Sequence, residues 1–345
     1  MKMINTLSRL LGMTLVLTLS PAVWGQTPPE KSKIALGYSS MAGSFGAFWV
    51  AEEKGYFKEQ GLDVKTTYTS TTAGLQAMMA GQFDAFGAGC PEIFEAARRG
   101  FDVKTIAAIF DRNPYLIVGR KDITKPEMLV GKSVAVGRIG DNTHLVTRYA
   151  LRRLGVDPGS VTYVQLGSGV ERFSALTAGS VAASVQSGFQ RVLAIQSGLN
   201  VLIDLEVPDE PSCPGGIAVS GEMTKRQPRT IDALLRGLIK GNAYLRVGPE
   251  ADTQRIFAKY MRLPPDDKRV IEAWSYFRQA APRGLDLSPQ AVKNVLAVMA
   301  EGDPSWAKED ASRFLDLSFI NKLGAEKFAD KVYEEIGRNK TDARK

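Results

Sequence analysis

Three segments of this chain recur in the same order further along it. Ala35–Ser40 (ALGYSS) resembles Ala135–Gly140 (AVGRIG), and Gly61-Leu62-Asp63 resembles Gly155-Val156-Asp157. LQAMMAGQFDAFGAG, from Leu75, resembles FSALTAGSVAASVQSG, from Phe173. The offsets are 100, 94 and 98 residues. Three ordered matches at nearly one spacing describe two similar modules with small insertions or deletions. Few architectures allow a chain to be built in this way.

Each module reads strand, loop, helix, strand, loop, helix, strand. The expected strands are Lys33–Tyr38, Asp63–Thr69 and Phe83–Gly87 in the first module, and Ser133–Val136, Val161–Gln165 and Val181–Val185 in the second. Apolar, β-rich runs separated by helical-period segments imply βαβ units and parallel sheets. Two further extended runs, Asn113–Arg120 (NPYLIVGR) and Gly215–Ser220 (GGIAVS), flank the second module. They imply that it is inserted into the first, with paired strands as the crossing. From Arg229 onward the pattern is helical, punctuated by Pro and Gly, and these helices are expected to pack on the first lobe.

Parallel sheets bind ligands beyond the carboxyl ends of their strands, where loops lead into helix N-termini. That rule selects Ser39, Ser40 and Phe45 after the first strand, Thr71 and Thr72 after the second, and Gly89 after the third. In the second module it selects Arg138, Asn142, Thr143 and His144, then Ser168, then Ser187 and Gln190. Hydroxyl side chains and exposed backbone N–H groups at such places can receive anions, or they can simply cap helices. Arg138 follows an apolar strand directly and can pair with a carboxylate or sulfonate, or lie as an ordinary surface arginine. Phe45 can supply an apolar wall, while Trp49, one turn into the helix expected over Phe48–Phe57, is expected in the core.

The N-terminal segment MKMINTLSRLLGMTLVLTLSPAVWGQ has Lys2 and Arg9 ahead of a short apolar run, then small residues near Ala22 and Gly25. This is the form of a leader removed near Gly25, so an exported, soluble, periplasmic protein is expected; a buried helix or retained anchor is the competing reading. Loss of Lys2 and Arg9 lowers the formal charge from +7 to +5. The remaining basic residues are scattered, which does not describe a nucleic-acid surface. Cys90 and Cys213 are the two cysteines. An oxidising compartment permits a bridge between them, and two separate buried thiols are the alternative.

Catalytic motifs are scarce. His144 is the only histidine, so H-E-x-x-H and multi-histidine zinc sites are impossible. G-x-S-x-G, the P-loop pattern and G-x-G-x-x-G are likewise missing, leaving no nucleophile elbow, no P-loop ATPase and no dinucleotide fingerprint. No metal or cofactor is expected. At the start of its helix His144 can contact a ligand or serve as a solvated or capping-region residue.

The runs FWVAEEKGYFKEQGLDV, GLQAMMAGQFDAFGAG, LVGKSVAVGRIG, LRRLGVDPGSVTYV and the C-terminal FLDLSFINKL carry a family resemblance. Over roughly residues 33–325 the chain resembles the nitrate/sulfonate/taurine branch of ABC-transporter solute-binding proteins, which includes thiamine-pyrimidine-synthase-like members. The resemblance implies a type II periplasmic-binding-protein fold: two α/β lobes, two hinge strands and a ligand cleft between them. It implies a leader over 1–25, a first lobe from 33–115 and 215–345, and a second lobe over 120–210. The implied function is a monomeric periplasmic receptor that delivers a small organic anion to an ABC permease with a separate ATPase. An exported enzyme acting on a pyrimidine or phosphate compound, and a receptor serving a membrane sensor, are the alternatives. Two departures bear on the ligand. Val181-Ala182-Ala183 stands where family members often carry V-D-A, and the Cys-rich segment of the pyrimidine synthases is missing.

Overall fold

Ten strands form two separate five-stranded sheets in the computed structural model, which describes residues 27–111, 113, 115–205, 212–300 and 302–342. The expected leader lies outside the described residues. The strands are β1 (Lys33–Tyr38), β2 (Asp63–Tyr68), β3 (Ala85–Ala88), β4 (Val103–Phe110), β5 (Tyr115–Gly119), β6 (Ser133–Val136), β7 (Thr162–Gln165), β8 (Ala183–Ser187), β9 (Asn200–Asp204) and β10 (Gly215–Ser220).

The sheet orders are β2-β1-β3-β10-β4 and β7-β6-β8-β5-β9. In each, three strands of one module run parallel, as the repeat requires, and one strand that has crossed over enters antiparallel beside them. β4 leaves the first sheet and β5 begins the second; β9 leaves the second and β10 returns to the first. β10 pairs with β4 in one sheet and β5 with β9 in the other, so the two crossings are joined on both sides. Parts of both crossings, 112, 114 and 206–211, lie outside the described residues.

The first lobe owes its larger core to the C-terminal helices. Leu36, Trp49, Ile106 and Ile217 cluster with Leu234, Leu238, Phe257, Val270 and Ile320, all buried. Burying apolar area at this scale is the dominant favourable contribution to folding. Helix Pro228–Val247 approaches helix Gly46–Glu53 so closely that a Cβ on Gly241 would stand 2.4 Å from the Ala47 carbonyl oxygen. The expected helix over Phe48–Phe57 is instead two, Gly46–Glu53 and Tyr56–Glu59. Gly55, at φ 74°, takes the left-handed conformation that breaks it. Trp49 is fully buried, as its place in the helix implied. The second lobe is smaller, with Val134, Val136, Leu151 and Val185 on one face of its sheet and Leu116, Val118 and Leu176 on the other.

Cys90 and Cys213 are joined in a disulfide. It ties the helix after β3 to the segment that leads into β10, and the whole second lobe lies within the 123 residues between the two cysteines.

Candidate functional site

The two lobes meet at the carboxyl ends of their parallel strands. Leu145, in the helix Asn142–Arg153 that follows β6, joins the first-lobe cluster containing Leu296 and Met299. Helix Lys268–Ala280 lies against the turn Gly188–Gln190 that follows β8. Between these contacts the Asn142 N–H donates to Oε1 of Glu92, at 3.4 Å, from one lobe to the other.

The backbone of the loop after β6 is already occupied. Gly137 N–H donates to Thr143 Oγ1, Arg138 N–H to Asp141 Oδ2, Ile139 N–H to Gln165 Oε1 and Gly140 N–H to His144 Nδ1. The Asp141 N–H donates to the Arg138 carbonyl. Asp141 then caps the helix through the His144 N–H, at 3.0 Å. Thr143 and His144 therefore support the loop from within. His144 is buried with its ring edge-on to Tyr163, and burial, aided by Arg148, lowers its pKa from the ordinary value.

The other expected residues divide in the same way. Phe45 is 2% exposed and packs on Tyr38 and Phe48, which places it in the core rather than along an open wall. Ser39 donates its backbone N–H to the Gly87 carbonyl, and Ser40 Oγ accepts from the Ala42 N–H. Ser168 forms a capping box with Glu171, and Ser187 forms one with Gln190. Capping of the helix Thr71–Met79 falls to Ser70, whose side chain accepts from Ala73, and not to Thr71 or Thr72. Gly89 leaves room for a neighbour, since a Cβ there would lie 2.1 Å from Oε2 of Glu92. Arg138 is exposed at the rim of the junction.

Three residues that the sequence reading passed over occupy the junction itself. Glu92, in the first turn of the helix Cys90–Arg98, has its Oε2 sealed from solvent without a hydrogen-bond partner. Tyr115 opens β5 and pairs in register with Ser187, at the carboxyl end of β8. Arg172, in the first turn of helix Gly169–Thr177, is 4% exposed. Its Nε donates to the Val185 carbonyl at 3.0 Å, and its Nη1 to the carbonyls of Leu166 and Gly167. No carboxylate among the described residues forms a salt bridge with Arg172, and its Nη2 has no hydrogen-bond partner there. Placement could have singled them out, since Glu92 and Arg172 open the helices that follow expected strands and Tyr115 lies near the start of the expected run Asn113–Arg120. A buried charge inside an otherwise amphipathic helix gives no such sign in the sequence.

The electrostatics tie these groups together. Burial pushes the Glu92 carboxyl up, and Asp141 adds to this; the N–H groups of Glu92 and Asn142 and the Arg138 guanidinium pull the other way. Burial also pushes the Tyr115 phenol to about 12, with Glu92 raising it further and Arg172 opposing. For a carboxyl whose folded pKa lies above its ordinary 4.5, the linked stability is complete below that value. It is lost as pH rises through the folded pKa. Wild type should therefore lose stability relative to Glu92→Gln as pH rises above 4.5. Parallel chemical-denaturation curves for the two proteins across that range would show it, and superimposable pH profiles would refute it.

Two parallel-cored sheets, each completed by a strand that has crossed from the other, with the strand carboxyl ends apposed, define a periplasmic-binding-protein-like fold. A family model described as NMT1/THI5 like matches residues 43–252, more than half of the chain, and the chain belongs to that family. The chain is similar to the riboflavin-binding protein RibY of Chloroflexus aurantiacus, 22% identical over 241 residues that cover 68% of this chain and 67% of that one. Among solved structures, the periplasmic aliphatic sulphonate binding protein SsuA from Escherichia coli superposes with a TM-score of 0.69 at 17% identity. The match covers 83% of this chain and 97% of that one. The alkanesulfonate-binding protein SsuA from Xanthomonas axonopodis pv. citri, bound to MOPS, gives 0.64 at 20% identity, covering 82% and 96%.

Proposed function

We propose that this protein is an extracytoplasmic solute receptor of an ABC importer. It binds a small organic anion, of the carboxylate or sulfonate class, between its lobes and delivers it to a membrane permease driven by a separate ATPase. It works as a periplasmic monomer. The observation that carries this reading is Arg172: a buried guanidinium at the lobe junction with one nitrogen left over after it has bonded three carbonyls. Guanidinium groups in such surroundings recognise carboxylates and other oxyanions through charge-assisted hydrogen bonds. Tyr68, Ile139 and Val170 are exposed large side chains at or just beyond strand carboxyl ends, which suits a ligand with an apolar body. The sulfonate-binding and riboflavin-binding proteins that it resembles support the receptor role.

Ligand signals a permease only by binding the closed arrangement of the lobes better than the open one. Contacts drawn from both lobes meet that need. Both cysteines are joined to each other and the histidine is engaged by Gly140 and Tyr163, so none of the three is placed as a nucleophile or base. Mass spectrometry of the purified protein after denaturation should recover a bound organic acid. Adding that compound back to the emptied protein should raise its melting temperature. Recovery of no small molecule, together with no thermal shift across a panel of organic acids, would overturn the reading.

A further inference from the structure

The junction holds two polar atoms of opposite kind without a hydrogen-bond partner among the described residues, and the first of them is also sealed from solvent. One is an acceptor, Oε2 of Glu92, sealed from solvent and accepting no hydrogen bond. The other is a donor, Nη2 of Arg172, on a guanidinium that is 4% exposed. They come from different lobes, after β3 and after β7 respectively. Both charges act on the Tyr115 phenol at the start of β5. A buried polar group left unpaired is costly, and more so when charged.

A bare oxyanion would satisfy Arg172 but set a second negative charge near an ionised Glu92, whose Oε2 would stay orphaned. A simple cation would reverse the fault. Backbone amides cannot relieve either case in the loop after β6, because all five from Gly137 to Asp141 are spent within the second lobe. We propose that Glu92 sets the specificity of this receptor: its ligand is an amphoteric organic acid, with its anionic group on Arg172 and an N–H donor, amino or ring nitrogen, on Glu92. The groups facing Glu92 fit this division of labour. Asp141 lies on the acidic side with it, Arg138 stands at the rim, and Asn142 binds its other oxygen. Because the donor goes to the first lobe and the acid to the second, only a molecule carrying both joins the lobes through both atoms.

This inference rests on the receptor reading above, and the test separates the two. Calorimetric titrations use matched probes, 4-aminobenzoate against benzoate and 3-aminobenzenesulfonate against benzenesulfonate. In wild type, the amino member of a pair that binds should be about tenfold tighter or more, since a site built to bond an N–H rejects the analogue without it. Glu92→Leu should erase the preference within a pair, and Glu92→Gln, the isosteric change, should reduce it. Equal affinities within a pair in wild type, or a preference that survives in both variants, would overturn the assignment of Glu92 and leave the receptor reading standing. Where no probe binds, the compound recovered by denaturing mass spectrometry decides. One with both an acid and an N–H supports the proposal, and one without an N–H refutes it. Recovery of nothing at all, with no probe bound, overturns the receptor reading and this inference together.

Discussion

Replacing Arg172 with methionine should weaken binding of the co-purified ligand by about 100-fold or more, the scale of removing one partner from a desolvated charge pair. Arg172→Lys should keep the charge but lose the fork that reaches the Val185 and Leu166 carbonyls while presenting a further nitrogen. An intermediate loss is expected for it, about tenfold. The methionine variant should also be less stable by about 2 kcal/mol, because three backbone carbonyls of the second lobe lose a donor. Titration calorimetry and chemical denaturation on the same preparations keep these effects apart. Ligand affinity unchanged in Arg172→Met would remove the guanidinium from the site.

The second large effect concerns the disulfide. A bridge across 123 residues restricts the unfolded chain strongly, and closing a loop of that order is worth about 4–5 kcal/mol in the chain-entropy account. The double variant Cys90→Ala, Cys213→Ala should melt lower by about 10 °C, given the usual dependence of melting temperature on stability for a chain of this size. Both sulfur-bearing side chains are fully buried. Reductant should therefore leave the native protein unchanged and act only once it is opened by denaturant. Thiol labelling with and without denaturant reads this directly, and rapid labelling of native protein under mild reductant would contradict it.

The fold was largely legible because its signals are periodic. Lys33–Tyr38 and Ser133–Val136 are found where the alternation of apolar runs and turns put them. The parallel trios β2-β1-β3 and β7-β6-β8 follow from the repeat. Boundaries were lost where backbone conformation decides: Gly55 splits a helix whose hydrophobic spacing runs straight through it. At the lobe junction the sequence picked out strand ends but not what each polar atom there bonds to. Asn142, Thr143 and His144 are polar residues at a helix start, a pattern shared by ligand contacts and by caps. In the fold Thr143 and His144 serve the loop, while the Asn142 N–H reaches across to Glu92. Arg172 and Glu92 sit in helices where a charged residue ordinarily reads as solvent-facing. Glu92 meets Asn142 of the other lobe, and Arg172 is buried against the ends of β7 and β8 in its own lobe, contacts that helical periodicity does not display. The cysteine pair left two readings open for the same reason, and only the return of β10 beside β3 brings the sulfurs together.

The position of β10 also orders how the chain can fold. It lies between β3 and β4 in the first sheet, yet it is made after every strand of the second. A chain emerging from its N-terminus cannot close the first sheet until Gly215–Ser220 has appeared. The second sheet, by contrast, is drawn from one continuous stretch, Tyr115 to Asp204, and has all its strands in hand earlier. Non-local pairing of this kind slows folding and leaves edges exposed while it is awaited. The inserted lobe can thus mature first, and β3 and β4 wait as unpaired edges for the strand that completes their sheet.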